Sequence, residues 1–427
     1  MKVLLLGSGG RESALAWSFG RSGSVSELLA LPGNPGIAAA AHVIDGDPSD
    51  LRTVVAVAHR FGADLVVVGP EAPLVAGVGD ALRAEGFQVF GPDAAAARIE
   101  ASKSYAKELM DRARVPTGRA RAFSDPEAAV AFMDELGPPY VIKADGLAAG
   151  KGVVVTTERA DAIVAIDDRL VFRSFGAAGS TIVIEEFLEG EEASVIAFTD
   201  GRSVVVCEPA QDYKRAFDGD RGPNTGGMGS YSPVPACPPE MIDRIVDEVL
   251  EPMVRATAAA GAPFAGALYA GLALTPEGPK VIEFNARFGD PETQALLPRL
   301  ESDIAEVCLA CATGDLEGMK LQWAPDRCVT VVLASGGYPG SHRTGVPIAG
   351  IEDATGLGAL VFQAGTATSD AGLTTSGGRV LAVSALGATF EDARVLAYDA
   401  ASRITFEDRL MRTDIGARAA DIERSLL

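Results

Sequence analysis

The stretch Val281-Ile282-Glu283-Phe284-Asn285-Ala286-Arg287-Phe288-Gly289-Asp290-Pro291-Glu292 decides how this chain is read. Its opening residues have the apolar make-up of a strand, and Ala267–Leu274 with Lys280–Phe284 reads as a hairpin. Side chains two apart on a strand share a face, so Glu283 and Asn285 stand together on an otherwise apolar surface. Two oxygen donors with room for retained water suit Mg²⁺ bridging nucleotide phosphates. Arg287 continues the alternation and is placed to steady a phosphoryl group in transfer. A polar cluster on an apolar strand must be satisfied somehow. It is a site or a solvated face, and the setting favours the site.

Upstream, a helix rich in Lys and Glu (Ser102–Arg114) leads to a strand, Tyr140–Lys143, a glycine-rich loop and a second strand, Val153–Thr156. Lys143 ends an apolar run, so it either lays its stem along apolar surface or offers its ammonium to a phosphate. The loop Asp145–Gly152 is not a Walker A loop, which needs Gly where Asp145 stands and Ser or Thr where Gly152 stands. Between two strands it reads as a flexible hairpin folding over a triphosphate. The run Thr181–Glu186 ends in Phe187-Leu188-Glu189-Gly190. Taken alone that is an ordinary strand end; as a hinge, its backbone would meet adenine and Glu192 would accept from ribose hydroxyls. Residues 211–232, with Gln211–Arg215 and Gly222–Gly229, read as a long polar loop with little to pack, and its cations point to substrate contact. Ser203–Glu208 reads as a strand and Ile242–Ala259 as an amphipathic helix.

Toward the amino terminus, Lys2–Leu6, Leu28–Leu31, Leu65–Val68 and Gln88–Phe90 read as buried strands, with Ser13–Phe19 helical. Such runs predict a parallel sheet covered on both faces, its glycine-rich turns gathered at the carboxyl edge where ligands bind. Gly7-Ser8-Gly9-Gly10-Arg11-Glu12 starts like a dinucleotide fingerprint but has Glu12 where a third glycine is needed. Glycines ahead of a helix still aim backbone N–H groups at an anion. The β-rich middle region ends near Gly314. Cys328–Ser335, Arg379–Leu386 and the helix Phe390–Ile404 form a smaller α+β tail.

Composition narrows the function. The chain has 427 residues, of which 48% are hydrophobic and 22% charged, enough for roughly three domains at ~150 residues each. Lys plus Arg number 37 against 58 Asp plus Glu, a net charge of −21. That disfavours general nucleic-acid binding but not a small anion in a locally basic cleft. No apolar run reaches the ~18 residues of a membrane span. The apolar run at the amino terminus is too short for a signal peptide, so a cytoplasmic location is expected. Five cysteines, an odd number, make no disulfide framework. Cys308 and Cys311 lack the further ligands of a tetrahedral metal site and read as core. His42, His59 and His342 are isolated, and no Ser/His/Asp or Cys/His set points to a nucleophilic hydrolase.

Over essentially its whole length the chain resembles the phosphoribosylamine–glycine ligases (glycinamide ribonucleotide synthetases), ATP-grasp enzymes of purine biosynthesis. The resemblance rests on GSGGRES at 7–13, PGNPG at 32–36, GPEAPLVAGVGD at 69–80, IKADGLAAGKGV at 142–153, EEFLEGEEAS at 185–194, GPNTGGMGSYSP at 222–233 and EFNARFGDPET at 283–293. It implies an α/β and α+β multidomain protein. The parts would be a parallel-sheet (pre-ATP-grasp) domain at 1–100, an ATP-grasp domain at 101–315 with a lid about 115–190, and a small α+β domain at 325–427. It implies ATP contacts at Lys103, Lys143, Glu186, Leu188 and Glu192, and Mg²⁺ or Mn²⁺ on Glu283 and Asn285. Gly9, Gly10, Asn34 and the 211–229 loop, with Asp212, Lys214 and Asn224, would receive 5-phosphoribosylamine. Arg287 and Asp290 are candidates for glycine, and Lys143 and Arg287 for catalysis. Ser13, Tyr213 and Gln363 stand where relatives often carry His, so no histidine there can shuttle protons.

The implied reaction consumes ATP, glycine and 5-phosphoribosylamine and yields glycinamide ribonucleotide, ADP and phosphate through glycyl phosphate. Closing the 145–152 loop would protect that acyl phosphate from water. A monomer is expected, without nucleic acid or membrane. Transient contact with the enzyme that makes phosphoribosylamine is left open.

Overall fold

A computed structural model of the chain describes residues 1–147, 152–174, 176–370 and 372–426. The strands Lys2–Gly7, Glu27–Pro32, His42–Val43, Leu65–Val68 and Gln88–Phe90 form one sheet with Lys2–Gly7 at its centre, and every pairing in it is parallel. Leu4, Leu5, Leu6, Val66 and Val67 are fully buried, as continuous apolar runs require when helices cover both faces. The turns after the strands meet at one edge, where Gly33 N–H donates to the Gly7 carbonyl and Gly69 N–H to that of Leu6. The first helix, Gly10–Gly20, starts three residues before the predicted Ser13 because the Glu12 carboxylate accepts the Gly9 N–H at 2.6 Å.

A small antiparallel sheet follows, built from Ala120–Phe123, Ile182–Glu186, Tyr140–Ala144 and Val153–Thr156 in that spatial order. Helices Pro126–Leu136 and Arg159–Leu170 cover it. Ala129, Met133, Ile142, Ile166 and Ile184 give it a core of its own. Of the glycine-rich loop predicted at 145–152, residues 148–151 lie outside the described residues.

The second antiparallel sheet runs Val204–Val206, Glu191–Asp200, Ala265–Thr275, Gly278–Asn285. Its last two strands are the predicted hairpin. The helix foreseen at Ile242–Ala259 begins earlier, at Pro239, and contains a π-turn at Val246–Leu250. Pro252 cannot donate to the preceding turn, and the wider turn absorbs the break.

The expectation of a loosely packed loop at 211–232 is corrected by the structure. Gln211–Asp212, Arg215–Phe217, Arg221–Asn224 and Gly229–Ser232 are strands, and Gly229–Ser232 is wholly buried. It pairs antiparallel with Arg327–Ala334 in a sheet completed by Arg379–Gly387 and Leu360–Gln363. The tail sheet therefore includes strands from the middle of the chain. A four-residue strand with polar ends gives too little alternation to be seen in sequence, and its partner begins about a hundred residues later. Among the described residues, no helix is long and apolar enough to cross a membrane.

Candidate active site

The polar strand end at 283–292 lies where all of these units meet. Thr117 pairs with Val281, and the Pro116 carbonyl accepts the Val281 N–H at 2.8 Å. The hairpin register then slips by one residue, so that Glu283 faces Gly271 and Asn285 faces Tyr269. A Cβ on Gly271 would sit 3.4 Å from Glu283 Cγ, so glycine leaves that carboxylate its space. Beyond the strand, Phe288 packs against Phe90 and Phe198, with ring centroids 5.5 and 5.7 Å away, and this anchors the turn from behind.

A cavity of about 980 Å³ opens in front of the turn. Lys103, Lys107, Lys143, Glu185, Glu186 and Leu188 line one end, with Val141, Val155 and Phe284 as apolar walls. Arg11, Glu71, Asp212, Lys214, Asn224, Asp290 and Arg379 line the other, and Glu283, Asn285 and Arg287 lie on its wall as well. Among the described residues, neither the Glu283 nor the Asn285 side chain makes a hydrogen bond or ion pair, although the structure brings both to the cavity. An acid and an amide that line a cavity, their side chains free of hydrogen bonds and ion pairs among the described residues, fit a hard divalent cation. No group of three or more His, Cys, Asp or Glu that could hold a metal occurs among the described residues.

Lys143 is 4% exposed. It pairs with Glu185 and donates to the Ile282 carbonyl at 3.1 Å, while Lys107 reaches the same carboxylate at 2.7 Å. Burial pushes the Glu185 carboxyl up, but the two ammonium groups outweigh it and hold it below its ordinary value. Burial drives Lys103 down despite the pull of Glu283. Its ammonium donates to the Gly146 carbonyl at 3.2 Å. At the hinge, the Glu186 N–H donates to the Arg119 carbonyl and its carboxylate accepts the Arg119 N–H at 3.0 Å. The Leu188 N–H makes no hydrogen bond among the described residues.

Arg287 is clamped between Glu100, at 2.9 Å, and Glu71, at 3.2 Å. Burial raises the Glu100 carboxyl despite that guanidinium. Glu192 pairs with Lys214 at 2.6 Å, which holds its carboxyl below the ordinary range. Burial lifts Asp212 to about 7 against the pull of Lys214, and Glu292, Glu192 and Glu283 push the same way. Asp290 accepts from Gln294 at 2.8 Å and pairs with Arg379 at 3.2 Å. Burial raises its carboxyl, but Arg379 and Arg11 overcome this and hold it low.

Three predicted substrate residues do not line the cavity: Gly9, Gly10 and Asn34. The Gly9 N–H is taken by Glu12. The Asn34 amide donates to the Ser8 and Gln363 carbonyls at 2.8 Å each, and its oxygen accepts the Ile37 N–H at 2.9 Å. Asn34 is a brace between loops. Ser13 has a similar role, its hydroxyl accepting the Gln363 N–H at 3.1 Å. Tyr213 stacks under the Arg412 guanidinium, 4.7 Å away. Sequence reading missed Glu71, Glu100, Lys107, Glu185, Glu292 and Arg379. Of these, Glu71, Glu185 and Glu292 lie inside the quoted motifs, whereas nothing local marks the other three.

Three family models match in succession. They are the phosphoribosylglycinamide synthetase N domain over residues 1–100, its ATP-grasp (A) domain over 101–293 and its C domain over 328–418. The chain belongs to the phosphoribosylamine–glycine ligase family. It is 51% identical over 419 residues to the phosphoribosylamine–glycine ligase of Rhizobium meliloti (strain 1021), covering 98% of this chain and 99% of that one. It is 52% identical over 425 residues to that of Leifsonia xyli subsp. xyli, covering 98% and 100%. The crystal structure of the Thermotoga maritima phosphoribosylamine–glycine ligase superposes with a TM-score of 0.86 at 34% identity, covering 97% of this chain and all of that one. A biotin carboxylase from Campylobacter jejuni, at 16% identity and a TM-score of 0.71 over 96% and 92% of the two chains, shares the fold. As a member of the phosphoribosylamine–glycine ligase family, the chain is an ATP-dependent ligase, and ATP-grasp enzymes use ATP with a divalent metal ion.

Proposed function

We propose that this chain performs its family's reaction, joining glycine to 5-phosphoribosylamine at the expense of ATP, and that the residues around the cavity divide the task as follows. The observation that carries the assignment is the pair Glu283 and Asn285, unpartnered among the described residues at the junction of the cavity's two ends. These two residues would hold Mg²⁺ or Mn²⁺, which supplies charge neutralisation on the β- and γ-phosphate oxygens.

ATP lies along the lysine end. The Leu188 N–H meets adenine beside Glu186, Glu192 faces the ribose, and Lys103 and Lys143 face the phosphates. Lys143 is fixed by Glu185 and the Ile282 carbonyl, so its charge is in place before reaction, which is how a preorganised cation lowers a barrier. A carboxylate is a poor electrophile, so glycine is first phosphorylated to glycyl phosphate. Arg287, fixed by two carboxylates, steadies the transferring group. The amine of phosphoribosylamine then attacks the acyl carbon and phosphate leaves. That amine is neutral enough to need no strong base, in keeping with a cavity lined by no histidine among the described residues.

In this reading residues 101–315 carry the nucleotide machinery, with 115–190 as the lid, and residues 1–100 and 325–427 shape the acceptor end through Arg11, Asp212, Lys214, Asn224, Asp290 and Arg379. We place the enzyme in the cytoplasm as a monomer, with transient contact to the enzyme that makes phosphoribosylamine. Phosphate release from ATP tests the reaction. Release should require glycine and phosphoribosylamine together. Equal release with bicarbonate or other amino acids would overturn it.

A further inference from the structure

Arg412 does not line the cavity, and its side chain is wholly buried. The guanidinium forks onto Asp414, with Nε and Nη2 each donating to one carboxylate oxygen at 2.7 Å. Nη1 donates to the Asp220 carboxylate at 2.8 Å and to the Arg215 carbonyl at 3.1 Å. The Tyr213 ring lies 4.7 Å from the guanidinium carbon. Tyr213 and Arg215 are the two chain neighbours of Lys214. A single guanidinium from the far end of the chain therefore grips the protein on both sides of the lysine that faces the acceptor end.

The hairpin that follows Lys214 needs such a grip. Arg215–Phe217 and Arg221–Asn224 pair at Arg215 with Asn224 and at Phe217 with Arg221, with a register shift between, and Phe217 is 47% exposed. A two-stranded ribbon without a buried apolar face is marginal by itself. Its turn holds Asp220 at φ 53°, a left-handed conformation that a non-glycine residue keeps where its surroundings over-determine it. Residues 412–414 supply those surroundings. The Thr413 N–H donates to Asp218 at 2.8 Å and the Thr413 hydroxyl to its other oxygen, while Asp414 accepts the Gly219 N–H at 2.9 Å. At the base of the hairpin, Thr225 donates to the Lys214 carbonyl from its N–H at 2.7 Å and from its hydroxyl at 2.9 Å. The closure of the hairpin and the place of Lys214 are thus one structural fact.

Resting on the reaction proposed above, we infer that Arg412 is a positioning residue for the acceptor: it fixes Lys214 and Asn224 before phosphoribosylamine arrives. A long ammonium side chain ordered during folding does not have to be ordered again on binding, and the contact it then makes is stronger for it. Glu192, the partner of Lys214 at 2.6 Å, stands on the strand Glu191–Asp200 and not on the hairpin. The nucleotide end therefore keeps its geometry when the hairpin loosens.

Arg412→Met keeps an apolar stem and removes every donor. The expected result is a rise of about 10-fold or more in KM for phosphoribosylamine, with KM for ATP and glycine changed less than about threefold. Limited digestion with trypsin, without substrates, should cut after Lys214, Arg215 or Arg221 sooner than in the unaltered enzyme. Arg412→Lys retains the charge beside Asp414 but not the fork; it should raise the same constant by less, and it serves if Arg412→Met fails to fold. A folded variant with unchanged KM for phosphoribosylamine, a rise shared equally by all three substrates, or unchanged protection from trypsin would overturn the assignment. Turnover of the unaltered enzyme tests the reaction itself, whereas the ratio of variant to unaltered KM tests only the part played by Arg412.

Discussion

Two polar clusters flank the cavity and treat their hydrogen-bonding groups in opposite ways. In the turns of the parallel sheet, Glu12 takes the Gly9 N–H and the Arg11 guanidinium, and Asn34 spends its whole amide on Ser8, Gln363 and Ile37. At the end of the hairpin, Glu283 and Asn285 have no partner among the described residues, and Glu292 has only hydroxyls. Both clusters sit in motifs that carry the family resemblance, and both read from sequence as candidate binding sites. Satisfied groups build the scaffold, and in the function proposed above the unsatisfied ones await a ligand. Unmet hydrogen-bonding capacity, more than motif content, separates the two.

The comparison is broken most directly at Glu283. Glu283→Ala should lower phosphate release by at least about 10²-fold, the scale of a lost electrostatic stabiliser, and leave the melting temperature nearly unchanged. Activity like that of the unaltered enzyme at saturating Mg²⁺ would remove the metal assignment. Lys143→Ala should cost about 10² in turnover and also destabilise the fold, because it leaves buried Glu185 to Lys107 alone. Denaturant titration beside a rate assay reads both effects, and an unchanged rate would reduce Lys143 to a structural group.

Asn34→Ala sharpens the contrast from the satisfied side. Three hydrogen bonds vanish, so stability should fall by about 1–3 kcal/mol, while turnover at saturating substrate stays within a few fold. A large rise in KM for phosphoribosylamine at constant melting temperature would instead restore Asn34 as a substrate contact. The smallest effect concerns Asp290. Its carboxyl is held below the ordinary value, so the ion pair with Arg379 contributes stability above about pH 4. That contribution is lost as pH falls through the lower folded value. The melting-temperature gap between the unaltered enzyme and Asp290→Asn should be constant near neutrality and close in acid; a gap independent of pH would refute the pairing.

The sheets were legible because the runs Val3–Leu6 and Leu65–Val68 and the alternation at 283–285 state which face is buried. Glu283 and Asn285 were legible for the same reason, since a strand fixes which side chains are neighbours. Periodicity says nothing about partners far along the chain. Arg379 joins Asp290 and the Gly226 carbonyl across 89 and 153 residues. Glu100 leaves its helix to meet Arg287 and the Ala286 N–H. Gln211–Ser232 was misread because its short strands are satisfied by a sheet formed from later residues.

That shared sheet ties the acceptor end of the cleft to the order in which the chain is made. Gly229–Ser232 emerges from the ribosome long before Cys328–Val331, its neighbour in the finished sheet. Until then the strand has no such edge to join, and the hairpin carrying Lys214 and Asn224 lacks its anchors at Arg412 and Thr413. A gene truncated after Gly314 would therefore encode the nucleotide-binding half with an unfinished acceptor half. The last hundred residues cannot be exchanged for another protein's as a detachable module, because they complete a sheet whose other strands, Gln211–Asp212 and Gly229–Ser232, come from the middle of the chain.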